Sequence, residues 1–135
     1  MPGYVLKMYN FISLVNRTLG IPSQSMGEET SFLISCNASC VGVDVKVIGS
    51  LYDTGYYLFA LEGDKPTIDS KNASCAECVD FCSSRYYYSH EVCRNLSTSD
   101  DKFFVTIYAR YSHQNLTIEV TGGNILNVSQ TGIMF

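Results

Sequence analysis

Phe103-Phe104-Val105-Thr106-Ile107-Tyr108-Ala109, followed after a short polar connection by Leu116-Thr117-Ile118-Glu119-Val120, decides the fold. Phe103, Val105, Ile107, Ala109 and Tyr111 fall on one face of an extended chain. In the second stretch Leu116, Ile118 and Val120 do the same, with Thr117 and Glu119 opposite. Period-two alternation rich in β-branched and aromatic residues is the pattern of a strand with one buried face. Working outward, Val41, Val43, Val45 and Val47 alternate with Asp44 and Lys46, and Ser31–Cys36 and Tyr56–Leu61 read as further strands. Turn chemistry separates them at Asp53-Thr54-Gly55, Gly63-Asp64-Lys65-Pro66, Ser99-Asp100-Asp101 and Gly122-Gly123-Asn124. Short strands at this spacing, without helices to make crossovers, predict an all-β chain: a single antiparallel β-sandwich of jelly-roll-like form. A length of 135 residues suits one domain.

The asparagines indicate the compartment. Six of the eight begin an Asn-x-Ser/Thr triplet without proline: Asn16, Asn37, Asn72, Asn95, Asn115 and Asn127. At the Ser and Thr content of this chain, chance gives about one or two among eight. The six cysteines agree, since Cys36, Cys40, Cys75, Cys78, Cys82 and Cys93 form two clusters of even total. In an oxidising compartment they read as three disulfides; the competing zinc reading of Cys75-x2-Cys78 lacks a matching second knuckle. A local Cys36–Cys40 bridge is expected, with the other four cysteines closing the loop between Cys75 and Cys93. The chain is therefore expected to be secreted and N-glycosylated.

The domain divides on this reading into an apolar N-terminal segment, 1–20, and a sandwich, 21–135, carrying a cysteine-rich insertion at 69–95. Tyr4–Val15 is apolar on both strand faces, with Leu6, Met8, Ile12 and Leu14 on one and Val5, Tyr9, Phe11 and Val15 on the other. As a strand it would run about 40 Å, twice the usual length. A helix with Tyr4, Met8, Phe11, Ile12 and Val15 on one side is the alternative. Lys7 and Asn10 interrupt it and no small-residue cleavage site follows, so it is read as part of a mature chain and not as a signal peptide. The C-terminal Gly132-Ile133-Met134-Phe135 is apolar as well.

Charge and motif content exclude several classes. A formal charge of −4 and nine scattered basic residues disfavour nucleic acid. Nothing approaches 18 consecutive apolar residues, so no membrane span is expected. His90 and His113 lie in polar surroundings and are read as surface residues. With no nucleophile elbow, phosphate loop or free thiol pattern, no catalytic residue is assigned and no enzyme is expected. No metal site is assigned and no cofactor is expected beyond the N-linked glycans, although Glu28-Glu29, Asp80 and Asp100-Asp101 leave a structural calcium open. Tyr86, Tyr87 and Tyr88 beside the cysteine staple are candidate ligand contacts, because flat rings stack on sugars and anchor interfaces.

Asp44-Val45-Lys46-Val47, Leu58-Phe59-Ala60 followed by Lys65-Pro66-Thr67, and the pair Phe103–Ala109 and Asn115–Val120 together resemble the pre-peptidase C-terminal (PPC-type) extracellular β-sandwich module over residues 31–121. The resemblance implies a non-catalytic accessory module, in some members a binder of polysaccharide or fibrous protein. The sequons and the cysteine-rich insertion depart from that pattern.

Two functions follow as expectations. The first is a structural, self-assembling subunit of an extracellular fibre, coat or matrix, a homo-oligomer or filament joined by strand exchange through Tyr4, Leu6, Met8, Phe11, Ile12 and Leu14. The second is a carbohydrate- or receptor-binding module that uses the tyrosine-bearing loop.

Overall fold

The alternating stretches become strands because each has one side able to leave water. The computed structural model describes residues 15–49, 56–63, 65–69, 71, 74–78, 82–83 and 90–131, without the side chains of Cys82, Ser83, His90, Glu91, Val92 and Arg94. Its strands are β1 (Val15–Ile21), β2 (Glu29–Cys36), β3 (Val43–Ile48), β4 (Tyr56–Glu62), β5 (Cys82–Ser83), β6 (His90–Leu96), β7 (Lys102–Ala109), β8 (Leu116–Gly122) and β9 (Ile125–Thr131).

They form two antiparallel sheets, one in the order β1-β8-β3-β6-β5 and one in the order β4-β7-β2-β9. The pairings β1 with β8, β2 with β7 and β3 with β6 are those of a ribbon folded on itself, the winding of a jelly roll. β9 adds a strand beside β2. The sandwich expected from the sequence is the observed fold. β1 begins at Val15 and pairs along its whole length with β8, so residues 15–20 are part of the five-stranded sheet. Likewise β6 takes up the last residues of the cysteine-rich stretch.

The core is the meeting of the two inner faces. Phe32 and Ile34 from β2, Val45 and Val47 from β3, and Val105 and Ile107 from β7 are all fully enclosed. Each such side chain stabilises the fold by about 1.5–3 kcal/mol on transfer from water. Gly122 ends β8 where a Cβ would lie 3.0 Å from Ile125 Cδ1 and 3.1 Å from Val43 Cγ2, so a larger residue would press on both side chains where the chain crosses from one sheet to the other.

Two residues assigned to strand faces lie outside them. Val41 is 59% exposed, because Gly42 at φ 61° turns the chain before β3 begins. Tyr111 is 54% exposed, because β7 stops at Ala109. Cys36 and Cys40 are bridged as expected, closing the β2–β3 turn. Cys75 pairs with Cys78, three residues on, and so does not span the loop to Cys93. Cys93 is also disulfide-bonded, and the backbone register sets Cys82 opposite it.

Candidate functional site

Residues that alternate with the core face form the outer surface of each sheet, and the two surfaces differ in kind. On the five-stranded sheet the outward rows are Asn16–Thr121–Asp44, Thr18–Glu119–Lys46 and Gly20–Thr117–Ile48. These are largely polar, as expected of a solvated face. On the four-stranded sheet the rows are Leu61–Phe104–Leu33–Ser129, Phe59–Thr106–Ser31–Thr131 and Tyr57–Tyr108–Glu29. The middle of this face is deeply enclosed although it points away from the core: Thr106 is 0%, Ser31 2% and Tyr108 7% exposed. The Ser31 and Thr106 hydroxyls satisfy each other at 2.8 Å. A sheet apolar on both sides normally has both sides covered. The signal was present in Tyr56-Tyr57-Leu58-Phe59-Ala60-Leu61, which is apolar at six consecutive positions instead of alternating.

One end of the sandwich carries a second feature. There the β1–β2 connection (22–28) and the β7–β8 connection (110–115) are zipped together. Gln24 N donates to the His113 carbonyl at 3.2 Å, and His113 N returns a bond to the Gln24 carbonyl at 3.0 Å. The Gln24 amide donates from Nε2 to the carbonyls of Glu28 and Ile107, each at 3.1 Å, which turns Oε1 toward His113 Nε2 at 2.5 Å. His113 Nδ1 lies 2.6 Å from the Gln114 carbonyl, and Tyr56 meets the ring edge-on at 6.0 Å. His113 is thus no surface residue: it is 5% exposed, with both ring nitrogens held by structural partners. The side chain of His90 lies outside the described residues. Above this tie, Arg110 stacks over the rings of Tyr57 (5.7 Å) and Tyr111 (5.2 Å), with Met26 exposed close by in sequence to Gln24. No motif or spacing marked Met26 or Arg110, and spacing set Tyr111 on a strand face; only the fold groups the three.

The sequons are unevenly placed. Asn16, Asn37, Asn95, Asn115 and Asn127 are all exposed. Asn16 pairs with Thr121, which pairs with Asp44, whose Oδ1 accepts from Asn95 N at 2.8 Å. Asn127 pairs with Ser35, and Asn37 N donates to the Asn124 carbonyl at 2.9 Å. These four therefore ring the end where β2 meets β3 and β8 meets β9. Among the described sequons Asn115 alone lies at the opposite end, its Oδ1 accepting from Ser23 N and Oγ at 2.8 Å each.

Other expected site residues, namely Tyr4, Leu6, Met8, Phe11, Ile12, Leu14, Asn72, Asp80 and Tyr86, Tyr87 and Tyr88, lie outside the described residues. The carboxylates weighed for calcium cap loops: Glu28 Oε1 accepts from Ser25 N, and Asp100 Oδ1 accepts from Asp101 N at 2.9 Å. Among the described residues no group of three or more His, Cys, Asp or Glu is placed to hold a metal ion, and no helix is long and apolar enough to cross a membrane. No protein-family model matches the chain, and no curated protein matches it in sequence.

Proposed function

We propose that this chain is a non-catalytic, secreted, N-glycosylated structural subunit that associates with its own copies in an extracellular fibre, coat or matrix. The observation that carries the reading is the outer face of the four-stranded sheet, apolar where the matching face of the other sheet is polar. The segment Tyr4–Leu14 has the complementary character, apolar on both of its strand faces. It joins the sandwich at Val15, at the end where β9 begins, and fourteen residues reach about 45 Å when extended. A segment of one copy laid on the half-buried Leu33, Tyr57, Phe59, Leu61 and Phe104 of that face in the next, repeated head to tail, builds a filament.

Light scattering on the glycosylated full chain tests it. The expected result is concentration-dependent association that is lost when residues 1–14 are removed. Leu33→Asn is expected to act alike, because with Ser35 it completes a new sequon on the apolar face. A chain that stays monomeric at every concentration overturns the reading.

A second reading, binding of carbohydrate or a cell-surface receptor, is favoured by the Tyr57–Arg110–Tyr111 stack, since rings and a guanidinium together suit sugar faces and acidic groups. A glycan array that shows binding abolished by Tyr111→Ala supports it.

A further inference from the structure

We infer that two copies of this chain meet, in a two-fold contact, through the end formed by the 22–28 and 110–115 connections, with Arg110 of each copy facing Glu28 and Glu29 of the other. This rests on the self-association proposed above and names a contact surface that adjoins the apolar sheet face at Tyr57 and Glu29.

Four observations converge on this end. The first is the distribution of sugars: Asn16, Asn37, Asn95 and Asn127 belong to the other end, and Asn115 is turned to Ser23 by two hydrogen bonds. A bulky, hydrated glycan keeps a second protein away from its surroundings; four of the five described sequons lie clear of this contact, and Asn115 lies within it, so Asn115→Gln is expected to strengthen the association.

The second is apolar exposure. Met26 is 69% and Tyr111 54% exposed, and both lie in these two connections. Aromatic residues and methionine are enriched in interfaces, where they give large contact area.

The third is charge. Arg110, Glu28 and Glu29 are all exposed. They are brought side by side because Glu29 pairs with Tyr108 and Ala109 N donates to the Glu28 carbonyl at 2.9 Å. A patch that holds both signs off its axis is self-complementary under two-fold rotation, which sets each cation against the partner's anions. Molecules carrying −4 each repel at long range, so a self-contact needs such local pairing.

The fourth is rigidity. The Gln24–His113 tie and the stacking of Arg110 between two rings hold the patch before contact, so little ordering is needed on association.

Sedimentation velocity on the full glycosylated chain tests the inference, with circular dichroism confirming that each variant is folded. Arg110→Glu is expected to weaken association about tenfold or more, and Glu29→Arg to do likewise. Mixing the Arg110→Glu chain with the Glu29→Arg chain is expected to restore association to near the wild-type level, which a role for either residue within its own chain would not produce. Arg110→Asn completes a sequon with Ser112 and places a glycan on the patch; it is expected to abolish the contact. Wild-type association that persists unchanged in Arg110→Glu and Arg110→Asn overturns this surface while leaving self-association standing. A wild-type chain that is monomeric throughout overturns both.

Discussion

Gln24 uses its whole side-chain amide inside the fold, with two donated bonds and one accepted contact, all to groups of the same end. Truncating it strands the Ile107 carbonyl and one His113 nitrogen together. Gln24→Leu is therefore expected to cost about 2–4 kcal/mol, since unsatisfied buried polar groups each cost about 1–3 kcal/mol; urea denaturation gives the number. A Gln24→Leu, His113→Leu pair should fall well short of additive, because both changes break one network. Neither residue could be marked from sequence. A lone Gln and a lone His far apart in the chain carry no periodicity or motif, and polar neighbours at both positions pointed to solvent. Gly122 is the opposite case, legible as part of a turn but with a packing role that only the fold exposes. Gly122→Ala forces a Cβ against Ile125 and Val43, and a loss of about 1–3 kcal/mol is expected from overpacking, read as a lower denaturation midpoint.

At the scale of elements, β3, β7 and β8 were legible because each alternates over a well-filled inner face, and β2 and β4 because they are short apolar runs bounded by polar or turn residues. β1, β6 and β9 were not. In β1 an Arg17 takes one of the inward positions at the sheet edge and Gly20 an outward one, so the pattern is broken where exposure tolerates it. β6 mixes His90, Glu91, Arg94 and Asn95 with few apolar residues and contains a register shift against β3. β9 leaves Leu126 61% exposed, which hides its period. The disulfide of the β2–β3 turn was legible from spacing. Its loop is short, so replacing both Cys36 and Cys40 by serine is expected to remove only about 2 kcal/mol by chain entropy. The turn keeps its bonds from Cys36 N to the Asp101 carbonyl and from Thr98 N to the Cys40 carbonyl, so a single cooperative transition is expected to survive in urea.

For the whole molecule, two asymmetries define the candidate surfaces: one sheet face is apolar while the other is polar, and among the described residues one end is ringed by sequons while the other has a single one. Only the second was partly visible beforehand, since the sequons could be counted but not placed. Replacing Asn16, Asn37, Asn95 and Asn127 together by Gln is expected to leave a folded chain whose association is no longer confined. Light scattering should then show larger, less uniform particles than those of the chain that retains all its sugars. Cleavage by an N-glycanase followed by mass spectrometry counts the occupied sites directly.

The register of β1 has one more consequence. Val15 pairs with Gly122 and Ile21 with Leu116, so the first strand of the sandwich is completed by nearly the last. β2 likewise waits for both β7 and β9. Such long-range pairing folds slowly, because the intervening loop must close before any contact rewards it. A ribosome adding about 5–20 residues per second thus delivers the early strands seconds before their partners exist. During that interval Asn16 and Asn37 belong to an open chain, reachable by a modifying enzyme whatever strand or turn they later occupy. On the secreted, glycosylated reading proposed above, sugar attachment would precede the architecture, and the sandwich would close around positions already decorated.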